Sequence, residues 1–474
     1  MPTSSNKTHQ SRTTRRKNRL TSASALPVPI HGRIVKEVSG WKEVHIWGSP
    51  YERGFAHGAL LYDELKEVKK KLPFLVEEIE EIPTFEMYQK ACVPIEKILK
   101  TRYPEIYEEL KGIRDGAKTK HVDISISFLV AWNCLSSMHE VFEEEIEQQE
   151  NEDYSPAKQH KNLKRSQRCS AFIATGKGVT ETGEIVMAHN THIDFIMGTF
   201  FHVIMKITPT TGYEFTMQTC AGYVASATDW FLSSSGIIGC ETTISEIRYK
   251  PEFDERHHPF FCRIRNAMQY AQTLEECSQY MLANNAGDYA CSWLFGDTRS
   301  NEIMLLEIGL KYHNLKKTKN GIFYGMNSAM DDRIRMIETN DTQVYDYTTS
   351  SGSRNIRLES LLYEKYEGKI NIANAKRILA DHYDISKDAY ILNNNGICNH
   401  LYTDENEDIR FPHGAVDGKV VDSSMARKLQ FWGIWGSSCG RAFRKEPFLK
   451  TNPSFRDWRK YLTDYPLHCK WTKL

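Results

Sequence analysis

No stretch of this chain is apolar for the roughly 18–20 residues that a membrane-crossing helix needs. The N-terminus lacks the apolar centre of a secretory signal, which argues for a cytoplasmic rather than a lysosomal or secreted setting. Net charge is missing too. Lysine plus arginine and aspartate plus glutamate each number 61 in 474 residues, so the chain as a whole has no bias toward polyanions. None of the eleven cysteines has a CxxC partner, and an odd number does not suit a full disulfide framework. Disulfide scaffolds and zinc modules of familiar spacing are therefore disfavoured, and the thiols are expected to be mostly buried and free.

Residues 1–36 contain no acid and eight Lys or Arg, including Arg15-Arg16-Lys17. They read as a disordered basic tail, with a polyanion-binding or targeting patch as the alternative. Order is expected to begin near Ile34, at the end of this tail. Ser49-Pro50-Tyr51-Glu52 has the pattern of a helix start, with Ser49 as cap, Pro50 at the first position and Glu52 completing a capping box. Gly54 and Gly58 share one face of that helix, which implies a second element in close approach. Helices are also expected at 104–117, with Ile106, Leu110 and Ile113 in register, and at about 124–142. Residues 145–168 are polar and end in a basic run (Lys158, Lys161, Lys164, Arg165, Arg168), so they read as an exposed linker.

The stretch from Arg168 to Asp194 organises the rest. Two apolar runs, 172–174 and 185–188, flank a Gly/Thr-rich connection, as in a β-hairpin. Cys169 opens the first strand and His189 to His192 end the second. Cys169 differs from the other ten cysteines because it follows an exposed linker directly. A chain cut there would begin with a nucleophile whose own α-amine serves as its base. Later segments read as strands at 201–208, 213–220, 236–244, 290–295, 303–308 and 321–326. Helices are expected at 261–283, 353–365 and 372–380. The mixture implies an α+β layered fold. His189, His192 and Asp194 do not have recognised zinc spacing, and on a strand the two histidines face opposite sides. No metal or cofactor is expected.

Several blocks, in order, carry a family resemblance. They include Gly48-Ser49-Pro50-Tyr51-Glu52-Arg53-Gly54, Glu109-Leu110-Lys111-Gly112-Ile113, Cys169-Ser170-Ala171-Phe172, and Asn285-Ala286-Gly287-Asp288-Tyr289 with Trp293. Ile397-Cys398-Asn399-His400, His413 to Asp417 with Lys419, and Trp435 to Gly440 continue them. Over residues 40–445 the chain resembles the phospholipase B-like family and, more broadly, acyltransferases of the penicillin acyltransferase type, both N-terminal nucleophile (Ntn) hydrolases. The resemblance implies a four-layer αββα sandwich and self-cleavage between Arg168 and Cys169. It divides the chain into a tail (1–36), an N-terminal part (37–144), a linker (145–168) and a catalytic part (169–474).

The resemblance also implies roles. Cys169 is the nucleophile, with His189, Thr242, Asn327 and Arg354 as catalytic candidates. Asn190, His192, Thr243 and Trp293 are candidates for substrate binding. Alternatives stand beside several of these: a turn asparagine at 327, strand formers at 242 and 243, and a surface arginine at 354. Where relatives carry His-Asp-Thr-Trp, this chain has His189-Asn190-Thr191-His192. The implied activity is cleavage of a lipid acyl ester or an N-acyl amide through a thioester, by hydrolysis or by acyl transfer. Two other readings remain: a catalytically silent binding protein on the same fold, supported by the altered motif at His192, and a protein whose basic tail is its working part.

Overall fold

The structure, a computed structural model, describes Met1 and residues 29–142, 168–341, 344–403, 411–466 and 469–474. Most of the basic tail and nearly all of the linker lie outside the described residues. The strands in chain order are β1 (Gly32–Val38), β2 (Trp41–Gly48), β3 (Arg168–Thr175), β4 (Val186–Asp194), β5 (Val203–Pro209), β6 (Phe215–Thr219), β7 (Trp230–Ser233), β8 (Ile237–Thr243), β9 (Cys291–Asp297), β10 (Glu302–Ile308), β11 (His313–Thr318), β12 (Gly321–Gly325), β13 (Tyr383–Asp384), β14 (Ala389–Tyr390), β15 (His413–Asp422), β16 (Trp432–Trp435) and β17 (Thr472–Lys473). They form a nine-stranded sheet, β1-β2-β5-β6-β7-β8-β9-β10-β11, a six-stranded sheet, β12-β3-β4-β15-β16-β17, and the small pair β13-β14.

The fold is mixed α+β, and strand alternation explains how its parts stack. Ala171, Ile173 and Met187 on one face of β3 and β4 pack against Trp230, Leu232, Ile238 and Leu294 of the larger sheet. Phe172, Ala174, Val186 and Ala188, one residue out of phase, face Leu358, Leu361, Ile378 and Leu379 of the helical segments at 350–365 and 372–379. The other face of the larger sheet, including Ile46, Met205 and Leu306, is covered by helices carrying Leu65, Leu110 and Met268. The central strands of both sheets are thus buried on two faces, while the edge strands β1 and β11 are largely exposed.

The N-terminal part is not separate from this arrangement. β2 pairs in parallel with β5, so β1 and β2 extend the sheet built by residues 203–318. β1 begins at Gly32, so order starts before residue 37. The helix Pro50–Leu60 has the expected capping box between Ser49 and Glu52. Its Gly54 and Gly58 lie against Gly112 and Gly116 of the helix Pro104–Lys118. A Cβ on Gly58 would sit 2.0 Å from the Ile113 carbonyl, and one on Gly116 2.1 Å from that of Phe55. Backbones this close exclude any side chain. Beside the crossing, Arg53 Nε donates to Glu109 Oε2 at 2.6 Å and Arg265 Nη2 donates to the same oxygen at 2.9 Å. Burial alone would raise Glu109, yet the two guanidinium groups hold it down to about 2.

Some expected elements are shorter or were not foreseen. The helix expected at 124–142 ends at Asn133, followed by 3-10 turns, because Asn133 Nδ2 donates to the carbonyls of Leu129 and Gly222. The helix expected at 261–283 is two, Phe260–Tyr270 and Leu274–Leu282, because Ala271 is extended and Thr273 caps the second. β7, β11 and the helices between residues 62 and 102 carried no strong sequence signal. Nine of the eleven cysteines are buried, and all are free.

Candidate active site

β3 and β4 form the expected hairpin, and its register places Cys169 opposite Thr191 and Ala171 opposite His189. On the far side of β4, Thr191 is opposite Asp417 and His189 opposite Lys419. A bulge in β15 between Ala415 and Asp417 sets that register. Cys169, Thr191 and Asp417 therefore form a row across three strands at one end of the smaller sheet.

Two residues far away in sequence, Asn327 and Arg354, meet at Cys169. Asn327 Oδ1 accepts from the Cys169 backbone N–H at 2.7 Å. Arg354 Nη1 donates to the Cys169 carbonyl at 2.6 Å and to Asn327 Oδ1 at 3.1 Å. Arg354 is fully buried, not a surface residue. Asn327 follows β12 with a φ of 78°, a left-handed conformation that asparagine tolerates better than most residues. Its Nδ2 donates to the Thr243 carbonyl at 2.9 Å, which leaves one amide N–H unassigned.

The thiol faces a pocket. Trp132, Leu135, Met197, Phe201, Phe260 and Phe261 form its apolar wall, and Thr191, His192, Asp229, Thr243 and Tyr289 its polar side. Burial raises the Cys169 thiol well above its usual range, and the carboxyl groups of Glu241 and Asp229 raise it further. The backbone N–H of His192 and the charge of Lys419 work in the opposite direction. At rest the nucleophile candidate is a neutral thiol.

Glu241, Tyr289 and the half-buried Asp229 form an acid network at the pocket that residue spacing did not single out. Tyr289 OH donates to Glu241 Oε1 at 2.8 Å and lies 2.6 Å from Thr243 Oγ1. Burial pushes Asp229 up to about 6, while its hydrogen bond to Glu241 and the charge of Lys419 oppose the rise. Glu241 is raised further, by burial and then by Asp229. Burial and the mutual repulsion of the two carboxyl groups both favour holding a proton on this pair. Lys419 Nζ lies 2.9 Å from Asp417 Oδ1 and donates to Thr191 Oγ1 at 2.9 Å, all within the core. Charged residues inside buried strands, Glu241 in β8 and Asp417 and Lys419 in β15, were the available sequence signal.

The other candidates are distributed around this centre. His189 is buried, with Nε2 2.8 Å from the Glu241 carbonyl. His192 lines the pocket and places Nε2 3.1 Å from the Ile397 carbonyl. Burial lowers both imidazoles well below their usual range, with Lys419 acting next on His189 and Arg354 on His192. Among the described residues, His189, His192 and Asp194 do not form a metal-ligating group. Asn190 points away from the pocket side of β4 and donates to the carbonyls of Leu379 and Ile397. Thr243 lines the pocket, whereas Thr242, one residue out of phase, stands over Gly325 between the sheets. Trp293 is buried under the helices, stacked on Phe295 at 5.0 Å.

The phospholipase B family model matches residues 99–304, bearing out the resemblance read from the sequence blocks. The match spans the end of the N-terminal part, the linker, the β3–β4 hairpin and the strands to β10. The chain is also similar to two crystal structures of mutant forms of a conjugated bile acid hydrolase from Clostridium perfringens. The first is 12% identical, covering 56% of this chain and 88% of the other, with a TM-score of 0.34. The second is 10% identical, covering 57% and 82%, also with a TM-score of 0.34. No curated protein sequence matches the chain.

Proposed function

We propose that this protein is a self-processing cysteine Ntn hydrolase of the phospholipase B-like type, built as an αββα sandwich, that cleaves a lipid acyl ester or an N-acyl amide. The observation that carries the reading is the environment of Cys169. Its backbone nitrogen is held by Asn327 Oδ1 and its carbonyl by Arg354, and it lines an apolar-walled pocket.

In the uncut chain the thiol attacks the Arg168 carbonyl carbon. The Arg168–Cys169 C–N bond breaks, the nitrogen gains a proton, and an acyl thioester forms. Water then releases the Arg168 carboxylate and regenerates the thiol. The new α-amine has a pKa near 8, low enough to accept the thiol proton near neutral pH. It occupies the position where Asn327 already accepts a hydrogen bond, so no rearrangement is needed to orient it. In turnover the thiolate attacks the acyl carbon. The ammonium protonates the leaving alcohol or amine, and water resolves the thioester. The apolar wall suits an acyl chain, and the spare amide N–H of Asn327 is the donor candidate for the oxyanion.

The test is intact mass and N-terminal sequencing of the wild type beside Cys169→Ala. The expected result is a wild-type fragment beginning Cys169-Ser170-Ala171 and an uncut variant. A wild type that stays whole from mildly acidic to neutral pH, or a variant that is cut equally well, overturns the reading.

A further inference from the structure

Behind the hairpin, on the side away from the pocket, His382, Cys398, His400 and Cys439 bring two nitrogens and two sulfurs within 4.8 Å of one another. The four come from three segments: the residue before β13, the irregular stretch that leads toward β15, and the loop after β16. Each is positioned by its neighbours. Arg357 pairs with Asp381 through two hydrogen bonds, 2.8 and 2.7 Å, and the Asp381 carbonyl accepts from the Cys398 N–H at 3.0 Å. His400 N–H donates to the Asn393 carbonyl. Ser438, next to Cys439, donates through Oγ to Asn190 of β4.

The geometry is hard to explain by hydrogen bonding alone. His400 Nε2 lies 3.1 Å from His382 Nε2, 3.5 Å from Cys398 Sγ and 3.4 Å from Cys439 Sγ. One ring nitrogen offers one proton or one lone pair and cannot satisfy three partners. A central ion can. Bonds of about 2.0–2.1 Å to nitrogen and 2.3 Å to sulfur, tetrahedrally arranged, give edges of about 3.3 Å for N–N and about 3.6 Å for N–S. The three edges that meet at His400 Nε2 are close to these values, and all four ligand atoms lie within 4.8 Å of one another. Cys398 and His400 are buried and Cys439 reaches the surface, so the group is nearly enclosed yet has a route for an ion.

We propose that His382, Cys398, His400 and Cys439 form a closed, four-ligand structural zinc site. Two thiolates and two imidazoles in tetrahedral array favour zinc over harder cations such as magnesium or calcium. All four positions belong to the protein, so the ion has no open place for substrate and its role is to fasten. It ties the segment holding Ile397 to the loop holding Ser438. Ile397 receives hydrogen bonds from Asn190 and His192, and Ser438 donates to Asn190. The ion thus braces the back of β4. CxxC spacing could not reveal this site, because the sulfurs lie on different segments.

The experiment is metal analysis of the full-length protein purified without chelator, beside Cys439→Ser, His382→Ala and Cys169→Ala. The expected result is about one zinc per chain in the wild type and in Cys169→Ala, falling at least about tenfold in the two ligand variants. Cobalt exchanged into the wild type should give the visible bands of a tetrahedral thiolate site, a readout that survives if a variant folds poorly. A reduced wild type that neither carries zinc nor takes up zinc or cobalt overturns the proposal. So does a Cys398–Cys439 disulfide in the freshly isolated protein, or unchanged zinc in both ligand variants.

Discussion

Two residues at the nucleophile make separable predictions. Asn327 combines a left-handed backbone with a side chain that holds the Cys169 nitrogen. Asn327→Gly keeps the backbone comfortable and removes only the side chain. Loss of a hydrogen bond to a group that becomes charged costs about 1.5–3 kcal/mol, so appearance of the Cys169 fragment should slow about 10- to 100-fold. Time-resolved gel densitometry, with circular dichroism to verify the fold, checks this. Asp229 concerns pH. Its carboxyl goes from an ordinary value of 3.8 to about 6 on folding, so the native state binds its proton more tightly than the unfolded chain does. That stability contribution is fully present below about pH 4 and is lost as pH rises through about 6. Denaturant unfolding at several pH values should show the wild type losing more stability over this window than Asp229→Asn.

At the scale of elements, the tightest constraint is the crossing of the helices Pro50–Leu60 and Pro104–Lys118. Gly58→Ala forces a methyl to within 2.0 Å of a backbone carbonyl, so the helices must separate or bend. Overpacking of this kind costs about 1–3 kcal/mol, and thermal unfolding should report a lower Tm. The hairpin and the capped helix start were legible because their signals are local: turn residues between apolar runs, and a cap three residues from its glutamate. The break at Ala271–Thr273 was less legible, because apolar periodicity continues across it. β7 is only four residues long and reads like any short apolar run.

For the whole molecule, the decisive contact is the parallel pairing of β2 with β5. If the chain is cut before Cys169, β1, β2 and the first helices remain built into the sheet and core of the remainder. The two fragments should therefore co-elute in size-exclusion chromatography under native conditions and separate only in denaturant. Early separation in native buffer would contradict the shared core described above.

Taken alone, the sequence determined the parts whose physics is local. It marked Cys169 at a linker-to-strand junction, located the hairpin and helix starts, and ruled against a helical membrane span. It also carried enough ordered blocks to suggest a family. Tertiary structure decided which distant residues meet. Asn327 and Arg354 reach Cys169 across 158 and 185 residues, and alternation along β8 turns Thr243 toward the pocket while Thr242 faces the other sheet. Glu241 and Asp229 act on one another's affinity for a proton only because the fold brings them together at the pocket. Burial, register and long-range pairing depend on how the whole chain packs, and no local window of sequence contains them.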